Sequence, residues 1–397
     1  MKTVGLVQAH HRGWGGAQDF SLATVDGRYA VQEVITRLKK ITQISTVVLA
    51  VPDDPGNQIF REVAVGEGAI CHFGSRENVL ARCSGALDEV AGAVAVHVMG
   101  QHCFIDTKLL GDMIDFRRET GAQFVSLPDD FTPYFAGKIY TRALLDEINE
   151  AIAGLDANRD IHFARFASFI EQNRERFNAR VYEKIPQYDR NYLMKIREAA
   201  KEIFADDRMH VDVSQASKVS NPLFESYEFA RGQFDNTDWV LDIACGDGYG
   251  CRILAAHVAQ VLGVDINGSL IDANRANNRS VNISYEVGDC LSLSMADGTV
   301  SGATAMELIE HLPLEQVDRF VREVRRVVAP GGRFICSTPQ NSYGDVPVVP
   351  WHVKEYSGPE LRAILERHFE SVKILSSKSG GRLTENETGQ KMVALCR

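Results

Sequence analysis

Two hydrophobic patterns alternate along this chain. Short continuous apolar runs at Thr3–Ala9, Ser45–Val51, Ala69–Phe73, Ala93–Val98 and Ala122–Ser126 predict buried strands. Between them, apolar positions recur at helical spacing over Ala30–Lys40, Gln58–Val65, Glu77–Val90, Lys108–Glu119 and Thr141–Ala153. Such alternation predicts an α/β domain with a largely parallel sheet over residues 1–205. Polar turn-forming residues follow, at Asp206–Arg208 and from Ser214 to Pro222. An amphipathic helix is expected over Pro222–Arg231, so residues 206–235 read as a linker with one helix. From 236 to 397 the alternation resumes, and a second doubly wound α/β domain is expected.

The second domain opens on its most informative stretch. An apolar run from Trp239 to Ala244 ends in Gly246, Gly248 and Gly250, and a helical pattern starts near Tyr249. Glycines allow a tight turn and a close approach to a ligand, and the helix N-terminus offers unpaired N–H groups. A dinucleotide fingerprint, G-x-G-x-x-G, would need glycine at 251, where Cys251 stands. The glycines instead run G-x-G-x-G behind Asp242. That pattern resembles motif I of the class I S-adenosylmethionine-dependent methyltransferases. The continuation, Val261 to Asp265, Val287-Gly-Asp-Cys290 and Ala329-Pro-Gly-Gly332 before a further strand, resembles the same family. The resemblance implies a Rossmann-like fold and S-adenosylmethionine as cofactor. It implies a cofactor site of Asp242, Gly246, Gly248, Gly250, Asp265, Ile266, Asp289 and Cys290, with Asp265 accepting the ribose hydroxyls and Asp289 the adenine amino group. The Pro222–Arg231 helix resembles one that covers the cofactor in bacterial methyltransferases of polysaccharide biosynthesis. Tyr227 and Arg231 are therefore candidate contacts, unless they only pack on the domain.

The first domain carries a second resemblance. Leu6-Val-Gln-Ala, Phe73 to Arg82 and Val98 to Asp106 look like the sugar cytidylyltransferases of the spore-coat-polysaccharide type, which implies a nucleotidyltransferase-like, GT-A-like fold. The family's first loop carries an arginine and a lysine. Here Arg12 is present, but the next lysine is Lys39. The family's metal-binding Gly-Asp-Cys-Pro reads Gly100-Gln-His-Cys103, and a second aspartate expected near Ala136 is missing. Without those carboxylates Mg²⁺ cannot be held against a triphosphate in the family's way. The domain is read as catalytically degenerate. It is a sugar-nucleotide or glycan binding module, a docking surface or a dimerisation scaffold. His10, His11 and His102 at the expected strand ends form a binding cluster or a solvated surface.

Composition narrows the partners. The 397 residues are 45% apolar and 24% charged, ordinary for a globular protein, and the net charge of −10 argues against extended nucleic acid. No apolar run reaches the length of a membrane span, and the N-terminus enters a strand without a leader pattern. The eight cysteines lack C-x-x-C spacing and read as reduced thiols of a cytoplasmic protein.

Candidate chemistry follows the expected fourth strand. Glu307, Glu310 and His311 stand at i, i+3 and i+4, so a helical turn would put them on one face. The set resembles the E-x-x-E-H element of ubiquinone-pathway O-methyltransferases and small-RNA 2′-O-methyltransferases. There a later histidine, here His352, completes a metal site. Mg²⁺ suits the carboxylates, and two histidines would also admit Zn²⁺ or Mn²⁺. A metal-free variant makes His311 or His352 a general base. Glu307 is also counted in the cofactor site. Trp351 and Tyr356 could stack on a sugar face or anchor the fold.

These readings converge on an O-methyltransferase whose acceptor is a hydroxyl of a sugar nucleotide or glycan in surface-polysaccharide synthesis. The alternatives are a bifunctional enzyme with an active first domain, or a methyltransferase docked to an assembly partner or to its own copy through that domain. An RNA acceptor is disfavoured by the acidic chain.

Overall fold

The computed structural model describes residues 1–11, 19–203, 222–344, 352–377, 383–385 and 388–397. The chain divides into two compact units between Met209 and His210. Arg12, the glycines at 13, 15 and 16, the polar stretch 206–221 and Trp351 lie outside the described residues.

The first unit is built on a seven-stranded sheet. Its strands are β1 (Thr3–Gln8), β2 (Thr46–Pro52), β3 (Ile70–Gly74), β4 (Val94–Met99), β5 (Phe124–Ser126), β6 (Lys138–Thr141) and β7 (Ala179–Val181). They lie in the order β3-β2-β1-β4-β6-β5-β7. The first four are parallel, as expected. β6 runs antiparallel to both β4 and β5, so the sheet is mixed rather than largely parallel throughout. β2 is buried along nearly its whole length, which a parallel strand covered on both faces requires.

The helices follow their apolar periodicity. α1 (Ala30–Lys39) buries Ala30, Val31, Val34, Ile35 and Leu38 on one face. α2 (Ile59–Gly66) and α3 (Val79–Glu89) alternate with the strands, and Asn78 caps α3 by accepting from the Ala81 N–H. α4 (Thr107–Thr120) starts on Asp106, whose side chain accepts from Lys108 and Leu109, and stops at Gly121 with φ of 64°. α5 (Arg142–Ala153), α6 (Arg159–Ala164), α7 (Phe166–Gln172) and α8 (Arg190–Ile203) complete the unit.

The second unit carries an eight-stranded sheet. The strands are β8 (Trp239–Ile243), β9 (Gln260–Asp265), β10 (Ile283–Val287), β11 (Val300–Met306), β12 (Val328–Pro339), β13 (Val372–Ser377), β14 (Leu383–Glu385) and β15 (Lys391–Cys396). The order is β10-β9-β8-β11-β12-β15-β13-β14. β8 to β12 are parallel, and β15 slots in antiparallel between β12 and β13. The turn expected at Ala329–Gly332 is an irregularity inside β12, where pairing jumps from Val300↔Val328 to Gly302↔Arg333.

α9 (Pro222–Arg231), α10 (Tyr249–Ala255), α11 (Gly268–Asn277), α12 (Leu314–Val327) and α13 (Gly358–Leu365) surround this sheet. α12 buries Val317, Phe320, Val321, Val324 and Val327 against it. In an open α/β sheet the carboxyl ends of the parallel strands are where ligands gather. No helix among the described residues is long and apolar enough to cross a membrane.

Candidate functional site

Two non-glycine residues with left-handed backbone mark the carboxyl edge of the second sheet. Ala244 (φ 58°) follows β8 and Glu307 (φ 54°) follows β11, its sheet neighbour. Each departure costs roughly 1–2 kcal/mol, and such departures cluster at functional sites.

Beyond Ala244 the glycines divide their work. Gly246 also has a positive φ, and a Cβ there would meet nothing within 4 Å, so its open face is free for a ligand. Gly248 (φ 75°) starts α10, and a Cβ on it would strike the Tyr285 hydroxyl at 2.5 Å. Gly250 faces inward, where an added Cβ would lie 2.1 Å from the Tyr227 ring. Gly250 thus serves packing between α9 and α10.

Asp242 is fully buried beneath the loop. It accepts from the Tyr227 hydroxyl at 3.0 Å, the Thr304 hydroxyl at 2.7 Å and the Cys251 thiol at 3.2 Å. Burial pushes its carboxyl up to about 6, although the three donors work the other way. Asp242 and Tyr227 therefore tie the loop, β11 and α9 together from inside. Arg231 is paired with Glu228 on its own helix.

Asp265 holds the loop from the other side. One carboxylate oxygen accepts the Gly246 N–H at 3.0 Å and the other the Asn267 N–H at 2.8 Å. Each oxygen keeps a further lone pair. Ile266 beside it is 75% exposed and Val287 54% exposed, an apolar pair at the mouth of a polar loop. Asp289 is exposed and turns its chain by accepting from Leu291, while half-buried Cys290 packs on the core. An open glycine, a carboxylate with spare lone pairs and exposed apolar side chains fit a nucleoside.

The helical turn expected over Glu307–His311 does not form. Glu307 ends the strand with positive φ, and only Ile309–His311 winds, as a single 3-10 turn. The two carboxylates consequently take different partners. Glu307 accepts from Ser337 at 2.6 Å and lies 3.4 Å from the ammonium of buried Lys391, which also donates to Ser226 of α9. Burial raises the hydroxyl of Tyr249, and the charges of Asp242 and then Glu307 add to it.

Glu310 turns inward and is fully buried. One oxygen accepts from Thr338 at 2.9 Å, and the other has no hydrogen-bond partner. Burial and the charge of Glu307 push its carboxyl well up. Its backbone carbonyl accepts from Val353 and Lys354, which brings His352 alongside. The His311 and His352 rings meet edge to face at 4.9 Å. Ligand atoms of Glu310, His311 and His352 all lie within 4.8 Å of one another, and Glu307 is outside this group.

His352 is buried and oriented by a residue that sequence reasoning missed. Its Nδ1 lies 2.9 Å from Glu355, whose other oxygen accepts from Asn341 at 3.1 Å. The His-x-x-Glu spacing was the available signal. With Nδ1–H donating to Glu355, Nε2 is left as the basic nitrogen. Tyr356 is 1% exposed and part of the core, so it presents no face to a sugar.

In the first unit the strand ends bring His10 and His11 together, stacked at 5.0 Å, beside Asp54. His102 is not among them and packs against Tyr134.

Residues 241–336 match the model of the methyltransferase domain family. A probable S-adenosylmethionine-dependent methyltransferase of Mycolicibacterium smegmatis is 32% identical over 171 residues, covering 39% of this chain and 65% of that protein. A ubiquinone biosynthesis O-methyltransferase of Coxiella burnetii is 39% identical over 101 residues, covering 25% and 42%. The chain thus spans less than two thirds of either curated relative. Among solved structures, a cytidylyltransferase from Leptospira borgpetersenii is 18% identical with a TM-score of 0.44, covering 55% of this chain and 93% of that one.

Proposed function

We propose, from the methyltransferase domain matched over residues 241–336, that the chain is an S-adenosylmethionine-dependent O-methyltransferase. Its acceptor is a hydroxyl of a sugar nucleotide or glycan intermediate of surface-polysaccharide synthesis. The observation that carries the reading is the division of the carboxyl edge into two halves. The open Gly246 face and Asp265 form one half, and Glu310, His311 and His352 form the other.

The cofactor supplies an electrophilic methyl on a sulfonium. Asp265 takes the ribose hydroxyls on its spare lone pairs, and Ile266 and Val287 cover the adenine faces. Asp289 receives the adenine amino group. Asp242, Tyr227 and Gly250 act one layer below by fixing the loop. Glu307, held by Lys391 and Ser337, borders the cofactor side.

An alcohol is a weak nucleophile, so its proton must be taken up or its pKa lowered. Glu310, His311 and His352 fit a divalent metal through one carboxylate oxygen and two imidazoles. The partnerless oxygen of Glu310 supports this, because a buried carboxylate needs a counter-charge. Such a metal would orient an acceptor hydroxyl and make it more acidic. Without a metal, His352 Nε2 serves as the base, and Glu355 stabilises the imidazolium that forms. All eight cysteines are free thiols, which supports a reducing compartment such as the cytoplasm. The first unit would act as the binding module for the nucleotide or glycan part of the acceptor, or as the surface joining a second copy or an assembly partner.

The test is calorimetric titration of the full chain with S-adenosylhomocysteine, then transfer of labelled methyl to CMP-, CDP-, UDP- and GDP-sugars. Asp265→Ala should abolish cofactor binding, and His352→Gln should abolish transfer while cofactor affinity stays unchanged. Unchanged affinity in Asp265→Ala would refute the cofactor site. Binding without transfer to any sugar would refute the acceptor class.

A further inference from the structure

We propose that the first unit holds a divalent transition-metal site formed by His10, His11 and Asp54. It goes beyond the methyl-transfer reading and does not depend on it. His10 and His11 lie beyond the carboxyl end of β1, after Ala9, and Asp54 lies beyond that of its parallel neighbour β2, after Asp53. Ligand atoms of the three residues lie within 4.8 Å of one another.

His11 is set up as a ligand by its surroundings. Buried Asn57 accepts with one oxygen from both the His11 backbone N–H, at 2.9 Å, and His11 Nδ1, at 2.8 Å. Its amide nitrogen donates to the Pro52 carbonyl at 2.9 Å, which fixes the orientation of the amide. Nδ1 therefore carries the proton, and the lone pair sits on Nε2. That nitrogen points toward Asp54, 3.9 Å from its Oδ1. The separation is too long for a hydrogen bond but is spanned by a metal with bonds of about 2.0–2.2 Å to each. An imidazole held through Nδ1–H by an oxygen acceptor is the usual support of a metal-bound histidine.

The other two ligands are also held. The His10 ring stacks on His11 with an interplanar angle of 24°, and its backbone N–H donates to Asp19. Asp54 accepts from the Gly56 N–H at 3.0 Å, and its second oxygen lies 3.4 Å from Arg76. Gly56 leaves room for the His11 ring, since a Cβ there would fall 2.2 Å from Nε2. Two imidazoles and one carboxylate favour Zn²⁺, Co²⁺ or Mn²⁺ over Mg²⁺ or Ca²⁺. Three protein ligands leave a position for an oxygen of a bound molecule.

Gly56→Ala is the informative variant, because it removes no ligand and displaces only the ring. The full chain is titrated with Co²⁺, followed by its visible absorption, in wild type, His311→Gln, Gly56→Ala and the double variant. His311→Gln disables the second unit's histidine pair, so the two sites are read separately. Gly56→Ala should lower Co²⁺ affinity at least tenfold in the His311→Gln background, and millimolar Mg²⁺ should not compete. Co²⁺ affinity unaffected by Gly56→Ala in that background would overturn the site. A second readout needs no variant: Zn²⁺ should slow diethyl pyrocarbonate modification of His11, followed by peptide mass spectrometry. Modification at the same rate with and without Zn²⁺ would equally overturn it.

Discussion

Asp242 shows how one buried residue can hold a glycine loop together from beneath it. It is fully buried and accepts three hydrogen bonds, yet its carboxyl stays up at about 6 because burial outweighs the donors. Its folded value thus lies above the unfolded value of 3.8. The stability tied to it is complete below about pH 4 and is lost as pH rises to about 6, an effect of about 3 kcal/mol. Asp242→Asn mimics the protonated form and should flatten this loss, as read by chemical denaturation between pH 4 and pH 7. An identical pH slope in the variant would show that Asp242 ionises in the folded state as it does in the unfolded chain. Glu310 shares the inward direction: Thr338 donates to one of its oxygens at 2.9 Å, and ligand atoms of His311 and His352 lie within 4.8 Å. The first unit offers a parallel in Asn57, a buried amide that fixes the tautomer of His11.

At the scale of elements, contacts of different kinds join α9 to the rest of the second unit. Tyr227 reaches Asp242, Ser226 accepts from Lys391 of β15, and the Tyr227 ring lies on Gly250 of α10. Gly250→Ala should force α9 and α10 apart and destabilise the protein by about 1–3 kcal/mol. It should also weaken S-adenosylhomocysteine binding, because the loop loses its anchor. Combining it with Tyr227→Ala should restore part of the loss, so the two changes together destabilise less than their sum. Strict additivity would mean that the helices do not meet at this point. β11 illustrates a second element-scale effect. Its end at Glu307 turns left-handed, which breaks the helical spacing read from the sequence and gives Glu307 and Glu310 different partners.

At the scale of the molecule, the described hydrophobic clusters each lie within one unit. Separate cores predict separate unfolding transitions. Scanning calorimetry of the full chain should therefore resolve two, and S-adenosylhomocysteine should raise only one of them. At about a hundred times Kd the gain is roughly 2.7 kcal/mol. Asp265→Ala should remove that gain and leave the other transition in place. A single transition that shifts as a whole would mean that the units unfold together.

Strand and helix succession was legible in the sequence because burial repeats along the chain. The buried parallel strands β1 and β2 are continuous apolar runs, and each long helix shows its face every third or fourth residue. β6 and β7 were missed because they are short and interrupted by polar residues (Lys138 and Thr141, Arg180), so no continuous apolar run marks them. The glycine loop was legible as chemistry, since few uses exist for three alternating glycines after a buried strand. What the glycines do was not legible: Gly246 faces open space and Gly250 faces a tyrosine ring, and only packing distinguishes them. Tertiary structure alone also decided the composition of the histidine clusters. His352 arrives beside Glu310 through backbone bonds at 353 and 354, His102 departs from His10, and Asp54 arrives through strand pairing. Local sequence sets which backbone conformations are cheap, but which side chains meet depends on strand order and the turns that close it.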